Sequence, residues 1–206
     1  MSITVYTKTY DAPALDLREI LRYAGIKNDA GASDEIFMML RSCIGEIAGK
    51  LTYKVCYCEL PVRQIGSDVE FSFARIHSAS LAKNLTGCES VILFSATVGS
   101  QLDRAIAKYS SVSPTKALLL QAIGAERIES LCEAFCSDIK KEKRAQGYQM
   151  RPRFSAGYGD VALSLQKDIF AVLDCHKRIG LTLNESMLMS PSKSVTAFIG
   201  ISANKE

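Results

Sequence analysis

Two kinds of hydrophobic pattern run along the chain and divide it into elements. Residues 2–10, SITVYTKTY, alternate and are rich in β-branched positions, which predicts a strand. LDLREILRYAGI, residues 15–26, is a short amphipathic helix that stops near Gly25. SDEIFMMLRSCIGEIAGKL follows, with Ser33 as its N-cap and two acids behind it, the start signature of a second helix. TYKVCYCELPV and VEFSFA read as two strands around a turn at Gly66, Ser67 and Asp68, and SASLAKNLTGC as a short helix. ESVILFSATVG is an apolar strand ending in glycine, and SQLDRAIAKYSSV is helical. Pro114 suits the first turn of a long helix from about Ser113 to Lys143. Ile128, Leu131, Phe135 and Ile139 recur in it at helical spacing, while Glu126, Glu129, Ser130 and Glu133 lie along another face. LQKDIFAVLDCHKRIG reads as one helix ending at Gly180, and LTLNES and SVTAFIGIS as strands. Strands and helices interleave without a regular βαβ rhythm, which points to an α+β fold rather than a doubly wound sheet.

Composition narrows the classes. With 206 residues, 48% of them hydrophobic and 23% charged, the chain suits one globular domain with an adequate core. The formal net charge of +3 is too small to argue for nucleic acid, and no basic stripe carries interleaved aromatics. The densest basic run, KKEKR at 140–144, reads as a solvated helix end where cations suit the dipole. No apolar run reaches membrane-spanning length, and the N-terminus has no signal-peptide pattern, so a cytoplasmic location is expected.

Seven cysteines without a secretion signal imply free thiols. Cys56 and Cys58 share a face of a strand, which leaves a soft-metal or redox role open beside plain burial. Cys132 and Cys136 share a helix face. His77 and His176 are the only histidines, and each reads as a solvated group. Dinucleotide, P-loop and nucleophile-elbow signatures are all missing, so the chain does not resemble a self-sufficient hydrolase or oxidoreductase.

One junction stands out. RPRFSAGYGD, residues 151–160, sets two arginines, a Gly-Tyr-Gly and an acid between two predicted helices. A connecting loop is the plain reading, in which Arg151 and Asp160 pair with each other or with water. A pocket for a carboxylate-bearing ligand is the sharper one, because a guanidinium fork takes a carboxylate two-pronged.

Arg-x-x-x-Gly-Tyr in this stretch is followed by Leu183, Asn184, Glu185, Ser186, Met189, Pro191, Ser194 and Val195, and preceded by LCEAF at 131–135. Together, over about residues 126–200, these segments resemble the reactivation (activation) domain of cobalamin-dependent methionine synthase. The resemblance implies a single α+β domain over residues 1–206, with a twisted, mainly antiparallel sheet flanked by helices. It implies an S-adenosylmethionine site made by Glu133, Arg153, Ser155, Gly157 and Tyr158, with no catalytic residue and no resident metal. Arg153 would take the ligand's carboxylate, Ser155, Gly157 and Tyr158 would shape the adenosine side, and Glu133 would face the amino or sulfonium end. Each also has a local reading, as a helix cap, a turn glycine, a packed ring or a solvated acid.

No D-x-H-x-x-G element is present, so cobalamin is expected only as presented by a partner protein. The implied partners are a cobalamin-dependent methionine synthase or another corrinoid protein, with a flavodoxin-like electron donor. The implied role is that of a free-standing accessory to methionine synthase activity. Departures exist: Asn184 stands where the family commonly has Thr, and the fused domain's further tyrosine and N-terminal Asp contact have no counterpart. These leave a second role open, a non-catalytic cap or regulator of a corrinoid protein that no longer binds S-adenosylmethionine. A thiol-based metal carrier using Cys56 and Cys58 is the third.

Overall fold

The apolar run Ser90–Thr97 becomes the middle strand of the molecule. The computed structural model describes residues 3–26 and 33–204. In chain order its elements are β1 (Tyr6–Tyr10), α1 (Leu17–Tyr23), α2 (Asp34–Ile47), β2 (Tyr53–Pro61), β3 (Arg63–Ile65), β4 (Asp68–Glu70), β5 (Arg75–His77), α3 (Ala79–Asn84), β6 (Ser90–Thr97), α4 (Gln101–Tyr109), α5 (Pro114–Ala145), β7 (Tyr148–Met150), α6 (Gln166–Leu173), α7 (Cys175–Ile179), β8 (Thr182–Leu183), β9 (Met189–Ser190) and β10 (Ser194–Ala203). The main sheet has the order β1-β2-β6-β10-β7, antiparallel throughout. A small sheet, β3-β4-β5, and the hairpin β8-β9 stand apart from it. The α+β expectation therefore holds. No described helix is long and apolar enough to cross a membrane.

Both faces of the sheet are covered, which is why β6 reads as continuous apolar sequence rather than as alternation. Ile92, Phe94 and Ala96 pack with buried residues of α1, α2, α4 and α5. Val91 and Leu93 pack on the opposite side with α3, α6, α7 and the small sheet. Cys56 and Cys58 point into that second layer, near Cys175. All seven cysteines are free thiols. Burial pushes the Cys58 thiol up to about 11, and among the described residues no group of three or more His, Cys, Asp or Glu is placed to hold a metal ion.

Helix starts follow the sequence closely. Ser33 accepts from the Ile36 amide at 3.4 Å and Ser78 from the Leu81 amide at 3.0 Å, so each supplies a partner for an otherwise orphaned first-turn N–H. Pro114 opens α5. Three expectations need correction. The stretch 165–180 is two helices, because Asp174 adopts a left-handed conformation (φ 48°) and breaks the ladder. In VEFSFA only the first two residues belong to a strand; the rest turns, with the Phe71 and Phe73 rings stacked. KKEKR is not wholly solvated: Lys143 is buried and donates to Glu59 of β2 at 2.6 Å. Part of the acidic face of α5 is buried as well. Glu126 is buried, pairs with Arg127 and accepts from the Asp16 amide and the Ser130 hydroxyl, while Arg127 donates to the Pro13 and Ala14 carbonyls.

Arg151 and Asp160 do not pair with each other. They hold opposite ends of α3. Asp160 accepts from the Ser78 hydroxyl and from the Ala79 amide at 2.8 Å, and Arg151 donates to the Thr86 carbonyl at 2.8 Å just past the helix. An anion at the N-terminus and a cation at the C-terminus both suit the helix dipole.

Two outcomes follow from this packing. Gly124 lets α5 approach α4, since a Cβ there would run into the fully buried Leu102 and lie 2.9 Å from the Lys193 stem. Gly124→Ala should gain about 1 kcal/mol of helix propensity but lose about 2–3 kcal/mol to overpacking. Urea unfolding should show a net loss; an Ala variant as stable as wild type would contradict the close approach. The second outcome concerns acid. The bond from Ser78, with those from the backbone, lowers the Asp160 carboxyl from 3.8 to about 2. Its stabilising contribution is therefore complete above pH 4 and disappears as pH falls towards 2. The melting-temperature gap between wild type and Asp160→Asn should be widest at pH 5–7 and close by about pH 2. A gap independent of pH would rule out this role.

Candidate functional site

RPRFSAGYGD begins as an extension of the sheet. The Arg151 amide donates to the Gly200 carbonyl of β10 at 2.8 Å, and Phe154 and Phe198 exchange bonds of 2.9 and 2.7 Å. These bonds fix where Arg153 leaves the backbone. The chain then turns: Tyr158 N–H donates to Ser155 at 3.2 Å and Gly157 N–H to Val161 at 3.0 Å. Gly157 has φ +87°, in the region glycine favours, and a Cβ there would sit 3.0 Å from Leu163 Cδ1. Its part is to permit the turn; it does not line the hollow beside it.

That hollow, about 420 Å³, is lined by Glu129 of α5, Arg153, Phe154, Ser155, Tyr158 and Val195 of β10. The size falls within the usual range for small-molecule sites, roughly 300–1,000 Å³. Arg153 donates to Glu129 at 2.7 Å, with 29% of its side chain and 38% of the Glu129 side chain exposed. An ion pair this open to water contributes only about 0–1 kcal/mol. An incoming carboxylate can thus replace Glu129 on the guanidinium at small cost. Burial works against the charge on Arg153, yet with Glu129 hydrogen-bonded beside it the guanidinium pKa stays above its ordinary value. Cys132 and Cys136 are one turn apart on α5, and burial pushes both thiols up. Neither thiol lines the hollow, whose charged groups are Arg153 and Glu129.

The structure thus brings three of the five anticipated residues, Arg153, Ser155 and Tyr158, to one wall. Glu133 is exposed one turn further along α5 and is not part of that wall; the acid there is Glu129. Both belong to one polar stripe at i and i+4, and the stripe alone does not distinguish them. Phe154 and Val195 were not singled out as site residues by chemistry, since each reads as core.

Among the described residues, two other hollows are larger. One of 510 Å³ is lined by residues including Lys167, Phe170, His176 and Asn184. Another of 460 Å³ is mostly apolar, and its Arg127 is already bound to Glu126 and to two carbonyls. We favour the smaller hollow beside Arg153, because it alone of the three sets an exchangeable guanidinium beside an aromatic face.

Comparison with known proteins identifies the fold and the family. The family model described as "Vitamin B12 dependent methionine synthase, activation domain" matches residues 80–206. No curated protein matches the chain. Among solved structures, "Crystal Structure of the MetH Reactivation Domain bound to AdoHcy" is similar with a TM-score of 0.70 over 99% of this chain and 80% of that one, at 13% identity. At that identity the likeness shows the fold. Since the family model covers more than half of the sequence, the chain belongs to the family of vitamin B12 dependent methionine synthase activation domains.

Proposed function

We propose that this chain binds S-adenosylmethionine in the hollow beside Arg153 and acts as a free-standing reactivation subunit for a cobalamin-dependent methionine synthase in the cytoplasm. The observation that carries this reading is the weakly held Arg153–Glu129 pair in the wall of a hollow of nucleoside size. The ligand's carboxylate displaces Glu129 from Arg153 and takes a two-pronged, charge-assisted bond. Glu129, released, then faces the ligand's positive groups from α5, with Glu133 one turn beyond it. Tyr158, 70% exposed, offers an aromatic face to the sulfonium or the adenine from the solvent side. The structural neighbour is a reactivation domain bound to AdoHcy; that ligand is the neighbour's own and supports the same ligand class here.

In this reading the chain supplies position rather than acid–base chemistry. A partner presents the corrinoid in its cob(II) state. One electron from a flavodoxin-like donor and the methyl group of the ligand restore methylcobalamin and leave S-adenosylhomocysteine. Arg153, Glu129, Ser155 and Tyr158 hold the methyl donor at the open face that a corrinoid partner covers.

Isothermal titration with S-adenosylmethionine should show micromolar binding, about 8 kcal/mol. A hydrogen bond to a charged group contributes about 1.5–3 kcal/mol, so Arg153→Ala should weaken binding about ten- to hundredfold. No heat with the wild type, or an unchanged constant in the variant, would overturn the ligand site and favour a non-catalytic capping role. Comparing two acids tests the wall itself. Glu129→Gln should change affinity several-fold, whereas Glu133→Gln should change it less than twofold; the reverse order would return the acidic role to Glu133.

A further inference from the structure

The ligand-facing loop has two halves that are held differently. Residues 151–154 lie on β10 through backbone bonds. The half that carries Ser155 and Tyr158 has no strand to rest on. Ala156 and Val161 of this half are buried in the second core layer, and its hydrogen bonds beyond its own turn are made where Asp160 meets the start of α3. Asp160 accepts there from the Ser78 hydroxyl, from Ala79 N–H at 2.8 Å and from Ser80 N–H at 3.3 Å. Gly159 presses against the same turn: at φ +57°, a Cβ on it would lie 2.8 Å from Ser80 Oγ. Ser78 is fully buried and also caps α3 through the Leu81 amide at 3.0 Å. α3 is itself anchored, with Leu81 and Leu85 fully buried in the second core layer.

We infer that Asp160 and Ser78 are positioning residues for the ligand, holding Tyr158 and Ser155 at the wall of the hollow while β10 separately holds Arg153. The inference rests on the S-adenosylmethionine reading for its ligand. It divides the site into two independently supported halves: one holds the carboxylate through the sheet, the other holds the aromatic side through α3. Tyr158 is the residue that most needs such support. Mostly exposed, it has little packing of its own to set its direction.

A double-mutant cycle tests the division, because coupling appears only between residues that act through one another. S-adenosylhomocysteine is the probe, measured by titration at neutral pH well below each variant's melting temperature. Asp160→Asn should weaken binding about five- to tenfold. In a Tyr158→Ala background the same change should cost less than twofold, whereas in an Arg153→Lys background it should keep its full effect. Ser78→Ala provides a second route to the same coupling. Equal losses in the Tyr158→Ala and wild-type backgrounds, or an unchanged constant in a folded Asp160→Asn protein, would overturn the inference. Hydrogen exchange separates this from failure of the ligand reading. With no ligand present, the Gly157 and Val161 amides should exchange at least tenfold faster in Asp160→Asn, while amides of β6 and α5 keep their protection. Unchanged exchange at Gly157 and Val161 would refute the anchoring itself. A wild type that binds no probe would refute the ligand reading and the ligand half of the inference with it.

Discussion

The register of β10 is the constraint on which the rest depends. This strand pairs with β6 along one edge from Ser194 to Ile201 and, along the other, with β7 and with the incoming Arg151–Phe154 segment. Phe198 faces α3 and the small sheet, stacked on Phe71, while Ala197 and Ile199 face α5. A slip of one residue would exchange these faces and bury the wrong side chains in both layers. It would also move Val195 away from the hollow and shift Arg153 relative to Glu129. Site geometry and core packing are therefore specified by the same strand pairing.

Helix α5 shows how burial separates fixed charge pairs from an exchangeable one. Among the described residues it takes part in four ion pairs, one of them the exposed Lys8–Asp138 pair; the other three differ in burial. Glu126 with Arg127 is buried and also satisfies carbonyls and an amide of the N-terminal segment, so removing one partner would leave an uncompensated charge at a cost of about 3–5 kcal/mol. Lys143 with Glu59 ties the far end of the helix to the sheet through a buried ammonium. Glu129 with Arg153 is partly open to water and borders a hollow. The first two hold fixed geometry. The third can change partners, which is what a binding site for a zwitterionic ligand requires.

How far the sequence revealed this follows from which forces are local. The cap at Ser33, the start at Pro114 and the apolar strand β6 were legible because cap chemistry and apolar runs act within a few residues. The break at Asp174 was not, since no Gly or Pro marks it and its left-handed backbone is fixed by the packing of α6 and α7. The burial of Glu126 and Lys143 was equally hidden: their partners lie 110 and 84 positions away. In the site, Arg153, Ser155 and Tyr158 were readable from one contiguous motif. Glu129 was not separable from Glu133, because only the direction from which Arg153 crosses α5 selects between two acids on one stripe.

The central claim is that a methyl-donor ligand meets the chain at the Arg153 hollow and not at either larger one. Titrating isotopically labelled protein with S-adenosylmethionine and following its amide and guanidinium resonances locates the contact directly. Shifts should concentrate on the Arg153 side chain and on the amides of Ser155, Tyr158 and Val195. Shifts confined to Phe170–Glu185 or to Tyr10–Leu15 would contradict the claim.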